Sequence, residues 1–218
     1  MDYVLTRRKD FPDITANLDS PKQLDLEYLV LDPDDAELMV DAADCLADTF
    51  AGTDVGGKKI VEPLIYALDF KQEYMFDYVM EYLKTYANQG LCFIAKDNAT
   101  NRVVGVVACE SFDPEEEIVE FEGNIEPINK IVDFLLDLDE RFVESINIKT
   151  GIEVKKDHLV HAFLAGSRLA KFKSYVVAKL VELIMEEGKD RGFKGIFAEC
   201  TSERSAKLLI KYHGYRTV

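Results

Sequence analysis

A group of basic and hydroxyl side chains marks the start of a predicted helix in the last third of the chain. Arg168 precedes the helix at 171–187, and Lys171, Lys173 and Ser174 lie in its first turn. The first backbone N–H groups of a helix have no partner within the helix, and the helix dipole places positive potential at the same end. The spacing therefore indicates an anion site, for which a pyrophosphate is a suitable ligand. A solvated basic loop is the alternative interpretation.

The chain as a whole has the opposite charge. Its 218 residues include 26 Lys and Arg but 41 Asp and Glu, which gives a formal net charge of −15. Such a chain repels nucleic acids and anionic membrane surfaces, and it attracts cationic ligands such as protonated amines. We therefore expect no nucleic-acid partner and no membrane partner, and a small-molecule amine is the favoured ligand. An acidic surface that only aids solubility is the alternative.

The cysteine and histidine content argues against disulfides and metal sites. The four cysteines, at 45, 92, 109 and 200, form no C-x-x-C pair, and there are three histidines. Free thiols in a reducing compartment are the default for this pattern, and a His/Cys metal site is not indicated. No apolar run approaches the ~18 residues of a membrane span, and the first ten residues lack the apolar stretch of a signal peptide. We expect a cytoplasmic protein that binds no metal.

The periodicity of apolar residues predicts an α/β fold with a mixed sheet in one domain. In the second half, helical spacing alternates with short β-rich runs, which indicates a partly parallel sheet with helices on its faces. A loose lead-in at 1–23 precedes the domain at 24–218, with a helical insert at about 113–157. Strands are predicted at 24–31, 91–95, 103–109, 158–165 and 196–200, helices at 35–50, 70–87, 127–146, 171–187 and 203–212, a flexible break at 51–57 and a short helix or loop at 58–68.

Four short stretches, taken in order, resemble one enzyme superfamily. The succession of strand, basic loop, helix, strand and helix at 158–215 is similar to that of the GNAT N-acetyltransferases. Two of the stretches, Val104-Gly105-Val106 and His213-Gly214-Tyr215, resemble the superfamily in general. The other two, Phe50…Glu62-Pro63-Leu64 and Ala198-Glu199-Cys200-Thr201-Ser202-Glu203-Arg204-Ser205, resemble its arylalkylamine (dopamine-type) branch, as does the long helical insert at about 113–157.

The resemblance implies a fold and a co-substrate. The fold would be the GNAT acyl-CoA N-acyltransferase fold, a central mixed and mostly antiparallel sheet with splayed parallel strands, flanked by helices. The pantetheine arm of acetyl-CoA would lie between those strands, and the acetyl group would pass to an amine such as an arylalkylamine or a polyamine. The implied cofactor-binding residues are Phe163, Leu164 and Ala165 for the pantetheine, and Arg168, Lys171, Lys173, Ser174 and Tyr175 for the diphosphate.

Catalytic roles also follow from the resemblance. Glu62 would be the base that takes a proton from the amine, and Ser202 and Ser205 would lie near the thioester. His158 and His161 lie on opposite faces of a strand beside the thioester, and the one that faces the cleft, with His161 as the candidate, would be a further acid or base. Tyr212 would supply a proton to the leaving thiolate. Each residue also has an ordinary structural interpretation, such as a helix cap for Glu62 or Ser202 and a satisfied buried or exposed histidine for His161.

The chain departs from the family where the diphosphate would bind. The signature Arg/Gln-x-x-Gly-x-Gly/Ala falls on 172–177, where Tyr175 and Val177 replace the small residues. Glycine at these positions lets the backbone approach a phosphate closely, so coenzyme binding would be weaker, rearranged or lost. A GNAT-fold binding or regulatory module without catalysis and an unrelated α/β domain are therefore the alternatives. The sequence ends three residues after Tyr215, so a partner could complete the last strand, for example in a homodimer.

Overall fold

A computed structural model describes residues 24–55, 58–116, 120–169 and 172–216, with the backbone alone at 53–55, 58–60, 204 and 212. The predicted lead-in at 1–23 lies outside these ranges. The strands are β1 (Leu26–Val30), β2 (Thr53–Val55), β3 (Lys58–Ile60), β4 (Phe93–Asp97), β5 (Arg102–Ser111), β6 (Leu159–Ser167) and β7 (Gly195–Phe197). The helices are α1 (Ala36–Ala51), α2 (Pro63–Ala67), α3 (Gln72–Tyr86), α4 (Asn129–Thr150), α5 (Lys173–Asp190) and α6 (Glu203–His213).

The main sheet has five strands in the order β1-β4-β5-β6-β7. The pairs β1–β4, β4–β5 and β5–β6 are antiparallel, and β6–β7 is parallel. Because two parallel neighbours need a crossover connection, α5 lies between β6 and β7 in the sequence. The mixed sheet with one parallel pair confirms the predicted fold class.

Both faces of this sheet are buried. The residues of β5 divide between two core clusters, with Val103 and Val106 packing with α1 and α3, and Val104 and Val107 packing with α5. Each such side chain, fully removed from water, stabilises the fold by about 1.5–3 kcal/mol. Helices on both faces explain why β4 and β5 are almost continuously apolar rather than alternating.

Gly105 lets α5 pack closely on the sheet. A Cβ atom at this position would lie 2.4 Å from Cγ1 of Val176 and 3.3 Å from Cδ1 of Leu180. Both partners are fully buried, so little room exists for them to move aside. The absence of a side chain at Gly105 therefore fixes the height of α5 above β5, and with it the position of the helix N-terminus.

The structure corrects two sequence predictions. The stretch expected to be a break and then a short helix or loop contains the antiparallel pair β2–β3 before α2 begins at Pro63. In the sequence, two glycines between short β-forming runs are also a hairpin pattern, which the prediction of a flexible break leaves out. The last predicted strand, 196–200, pairs only as far as Phe197. No helix in the described ranges is long and apolar enough to cross a membrane.

Candidate active site

The parallel strands β6 and β7 part at one end. They pair at three positions, and the last pair is His161 with Phe197. Beyond it, β6 continues to Ser167 with β5 as its partner, while the chain after Phe197 leaves the sheet. One edge of β6 is therefore unpaired by β7 from Ala162 onward. Main-chain N–H and C=O groups on an edge of this kind can bind an extended ligand.

A β-bulge lies at the point of parting. Ala108 of β5 pairs with Leu164 while Cys109 pairs with Ala162, so Phe163 is an extra residue on β6. A bulge of this kind locally disrupts the ladder and re-aims neighbouring groups. The three residues predicted to contact pantetheine, Phe163, Leu164 and Ala165, all border the resulting gap.

A cavity of about 440 Å³ occupies this gap. Its size suits a small-molecule ligand, and its wall is mostly apolar with a few polar groups. The floor is β6, and the walls come from the end of α1, from α2, α3, α4, α5 and α6, and from the segment after β7. The polar and charged side chains in the wall are Thr49, Glu62, Tyr78, Ser167, Lys173, Ser174, Glu199, Thr201, Ser202 and Ser205.

Glu62 caps α2 and also lines the cavity. Its Oε2 accepts a hydrogen bond from the backbone N–H of Ile65 at 2.8 Å, and Pro63 occupies the first helical position. Its Oε1 is buried and has no hydrogen-bond partner among the described residues. The cap therefore fixes the carboxylate and leaves one oxygen able to accept a proton or a hydrogen bond.

Ser202 and Ser205 also combine a structural role with a place in the cavity wall. Ser202 is the N-cap of α6, and its Oγ accepts a hydrogen bond from the backbone N–H of Ser205 at 3.1 Å. The two hydroxyl oxygens are 2.9 Å apart. Both serines face the cavity, so the cap interpretation and a place near a ligand are compatible. Tyr212 lies in α6, but its side chain is outside the described part of the chain.

The N-terminus of α5 opens on the cavity. Phe172 precedes the helix in a left-handed conformation with φ of 67°, and its side chain does not cap the helix. Lys173 and Ser174 line the cavity, whereas Tyr175 packs against the core cluster on the α5 face of the sheet. Tyr175 therefore does not block this opening, although its backbone N–H belongs to the first turn. Lys171 lies outside the described residues.

Arg168 has partners other than those predicted. Its guanidinium Nη2 donates to the backbone oxygen of Asp41 at 2.9 Å and lies 3.3 Å from Oδ1 of the same residue. Its Nη1 is 3.4 Å from Oδ2 of Asp44 and 3.9 Å from Oδ2 of Asp48. The side chain thus joins the end of β6 to α1, and its charge is neutralised there. It does not line the cavity.

His161 is buried behind the cavity wall and bridges two glutamates. Its Nδ1 is 2.9 Å from Oε1 of Glu110, and its Nε2 is 2.7 Å from Oε2 of Glu199. The ring stacks on Phe197 at 4.6 Å with an interplanar angle of 4°. Burial opposes the charged form, but the charge of Glu199 and the bond to Glu110 raise the pKa of His161 well above its usual value. The imidazole meets the cavity only through Glu199, which lines it.

Asp139 of α4 extends this network. Burial first, and then a hydrogen bond with Glu199, raise the pKa of Asp139 to about 8. Glu199 is also buried, but the charge and hydrogen bond of His161 hold its pKa down, at about 2. Oδ1 of Asp139 and Oε2 of Glu110 are buried without a hydrogen-bond partner among the described residues. Ligand atoms of Asp139, His161 and Glu199 all lie within 4.8 Å of one another.

No family model matches the chain, and no curated protein sequence is significantly similar to it. Solved structures are similar in fold. The C-terminal condensation domain of Ebony in complex with β-alanyl-dopamine matches with a TM-score of 0.65 at 18% identity, over 87% of this chain and 82% of that chain. Arylalkylamine N-acetyltransferase 2 from Aedes aegypti matches with a TM-score of 0.61 at 17% identity, over 86% and 81%. The polyamine N-acetyltransferase of Drosophila melanogaster matches with a TM-score of 0.54 at 18% identity, over 89% and 84%.

The chain has the GNAT fold. Of the site residues predicted from the sequence, the GNAT fold brings Glu62, Phe163, Leu164, Ala165, Lys173, Ser174, Ser202 and Ser205 together in one cavity wall. It places the side chain of Arg168 against the aspartates of α1, Tyr175 against the core cluster on the α5 face, and His161 one layer behind the wall.

Sequence reasoning missed the acids around His161. Glu199 was noted only as part of a resembling stretch, and Asp139 was not noted at all. One signal for Asp139 is present in the sequence, because it continues the apolar row of Ile131 and Leu135 on one face of α4, where an acid is out of place. The expectation of no metal site rested on a count of histidines, and it stays a prediction.

Proposed function

We propose that this chain is an acetyl-CoA-dependent N-acetyltransferase that acetylates a small amine, an arylalkylamine or a polyamine. The observation that carries the proposal is the cavity between the parting strands, with the unpaired oxygen of Glu62 in its wall. Several proteins of the same fold are named for such acceptors, and they include an arylalkylamine N-acetyltransferase and a polyamine N-acetyltransferase. The net charge of −15 supports a cationic acceptor.

The donor is proposed to lie along the unpaired edge of β6. Main-chain groups of Phe163, Leu164 and Ala165 pair with the pantetheine amides, and an N–H beside the bulge polarises the thioester carbonyl. The diphosphate binds at the start of α5, where Lys173 and Ser174 line the cavity and first-turn N–H groups are available. Lys171 is proposed to add positive charge there.

The proposed reaction is direct transfer. The amine nitrogen attacks the thioester carbon, a C–N bond forms, and the N–H proton passes to the Glu62 carboxylate. The tetrahedral intermediate then collapses, the C–S bond breaks, and its electron pair leaves on sulfur. Tyr212 or Ser205 is proposed to protonate that thiolate, and Ser202 orients the hydroxyl of Ser205 through their 2.9 Å contact. Glu62 afterwards returns its proton to solvent, and the hydroxyl that protonated the thiolate regains a proton from solvent.

A non-catalytic binding or regulatory module is the second candidate. Bulky Tyr175 and Val177 stand where GNAT enzymes carry small residues. Arg168, which was expected to help hold the diphosphate, is neutralised by Asp41 and Asp44. If backbone N–H groups and lysines did not compensate for the bulky residues and for the neutralised Arg168, coenzyme binding would be weak or absent.

Calorimetry and turnover separate the two candidates. Micromolar binding of acetyl-CoA together with acetylation of a phenethylamine or a polyamine supports the enzyme, and binding without turnover supports the module. Lys173→Ala is expected to weaken acetyl-CoA binding, whereas Lys189→Ala, an exposed lysine at the other end of the same helix, is the matched control. Equal affinity of the two variants would remove the proposed phosphate site.

The cellular compartment and the oligomeric state of the protein are also proposals. The cytoplasm is proposed because the four cysteines are free, with Cys45, Cys92 and Cys109 buried and Cys200 exposed. A homodimer remains a prediction, and light scattering after size-exclusion chromatography tests it against a mass of 24.7 kDa for one chain.

A further inference from the structure

The network around His161 has more negative than positive charge. It joins three carboxyl groups, those of Glu110, Asp139 and Glu199, to the single imidazole of His161. With His161 charged and Asp139 protonated, the network still carries one net negative charge. None of the other described cations forms an ion pair with these carboxyl groups. Since buried charge is costly unless it is paired, a surplus of this kind favours a cationic ligand.

The same network has unused hydrogen-bond acceptors. Both nitrogens of His161 are already bonded to glutamates, so the imidazole has no further N–H to donate. Oδ1 of Asp139 and Oε2 of Glu110 are buried without a hydrogen-bond partner among the described residues. A group that compensates the surplus charge from the cavity must therefore be positively charged and donate to Glu199, as an ammonium or guanidinium group does.

Glu199 connects the network to the cavity. Its side chain is 10% exposed and lines the cavity wall. Asp139 lies one helical turn beyond Leu135, which lines the same cavity from α4. Apolar side chains surround this part of the wall, among them Ile128 and Ile131. A ligand that meets Glu199 here would have an apolar body and a cationic end.

The cavity thus contains carboxylates from two separate elements. Glu62 belongs to the cap of α2, whereas Glu199 follows β7 and is held by His161. We propose that Glu199, held in place by His161 and Asp139, forms a subsite for a second, non-reacting cationic group of the acceptor, so that the acceptor is a diamine or a guanidinoalkylamine. This inference rests on the proposed function for its reacting amine and adds to it the class of the acceptor. A neutral aromatic ring at this subsite would leave the surplus charge uncompensated.

Paired substrates of equal length test the subsite. With acetyl-CoA, we expect kcat/KM for 1,5-diaminopentane to exceed that for pentylamine at least tenfold. Glu199→Gln should bring this ratio close to one, because it removes the carboxylate charge that faces the cavity. Asp139→Asn should leave most of the preference in place, because the amide is neutral like the protonated carboxyl and can still donate to Glu199. Glu140→Gln, an exposed acid next to Asp139, is the matched control and should leave the ratio unchanged.

Binding without acetyl transfer separates the subsite from the proposed function. Calorimetric titration of each amine, without acetyl-CoA, should show tighter binding of the diamine to the wild type and no difference between the amines for Glu199→Gln. A diamine preference in binding without any turnover would support the subsite and refute acetyl transfer. Turnover with no diamine preference, or with a preference for phenethylamine, would overturn the subsite alone. Zn²⁺ or Mg²⁺ binding that Asp139→Asn abolishes, with no diamine preference, would overturn it in favour of a metal ion.

Discussion

Substitution of Gly105 by alanine tests how closely α5 must approach the sheet. The new Cβ would lie 2.4 Å from Cγ1 of Val176, about 1 Å nearer than the 3.4 Å at which ordinary contacts begin. Val176 is fully buried and β-branched, so its side chain has few other rotamers, and α5 itself must shift. Overpacking of this kind costs about 1–3 kcal/mol, and the reduced freedom of the unfolded chain offsets about 0.4–1 kcal/mol. We expect a net loss of about 1–2 kcal/mol.

Urea unfolding with a fluorescence or circular-dichroism signal measures this loss. The expected change is a lower midpoint with an unchanged slope, and a fall in melting temperature of about 2–8 °C for a chain of this size. Acetyl-CoA binding should also weaken, since the shift moves the N-terminus of α5 at the proposed diphosphate site. Both effects have one cause, so they should appear together.

Gly188→Ala is the matched control, at a glycine of α5 that also faces the sheet. Gly188 lies inside α5, and a Cβ there would be 3.5 Å from Cγ2 of Val160, which is an ordinary contact. Alanine is favoured over glycine in a helix interior by about 1 kcal/mol, so this variant should be as stable as the wild type or more so. If Gly105→Ala were as stable as Gly188→Ala, the close packing of α5 on β5 would be refuted.

Three further predictions concern the site. Glu62→Gln should lower kcat by at least about 100-fold, against little change for the exposed Glu73→Gln, and a change within ~3-fold, about 0.65 kcal/mol, would remove Glu62 from the mechanism. The pKa of Asp139 is higher in the folded chain than in the unfolded chain, so protonation favours folding. The free energy of unfolding of the wild type should therefore fall relative to that of Asp139→Asn as pH rises from about 4 to 8, by up to about 1.4 kcal/mol per pH unit. Thermal melts over this range measure the difference, and a difference that does not change with pH would contradict the prediction. Ser202→Ala should cost about 1 kcal/mol through loss of the α6 cap, and an unchanged urea midpoint would show that the cap contributes nothing.

The regular elements were predictable because each carries its own local signal. The apolar stripe of α4 has a helical period, whereas β4 and β5 are short apolar runs separated by a cluster of turn residues. The register of β6 against β7 carries no such signal. Its end at Phe197 depends on three long-range pairs, and no local pattern in 196–200 marks where pairing stops.

Charged side chains were the hardest part of the site to predict. Arg168 follows β6 in the sequence near the start of α5, but the aspartates of α1, more than 100 residues away in the sequence, determine its partners. His161 was expected to face a cleft, and Glu110 and Glu199 enclose it instead. Ion pairs of this kind form between distant segments, so local spacing does not reveal them. The cap residues Glu62 and Ser202 were easier, because a cap is bonded within its own helix turn.

The distribution of cations gives the cavity two electrostatically different ends. The positive charge of Arg168 is neutralised by the aspartates of α1. A donor diphosphate at α5 would therefore depend on backbone N–H groups and on lysines such as Lys173. The charge of His161 is shared by two glutamates, so the wall near Glu199 keeps its negative surplus. Under the proposed function, an anionic donor and a cationic acceptor would be attracted to opposite ends of the same cavity. This opposition would orient both substrates without the glycine-rich turn that the chain lacks, so the proposal does not depend on that turn.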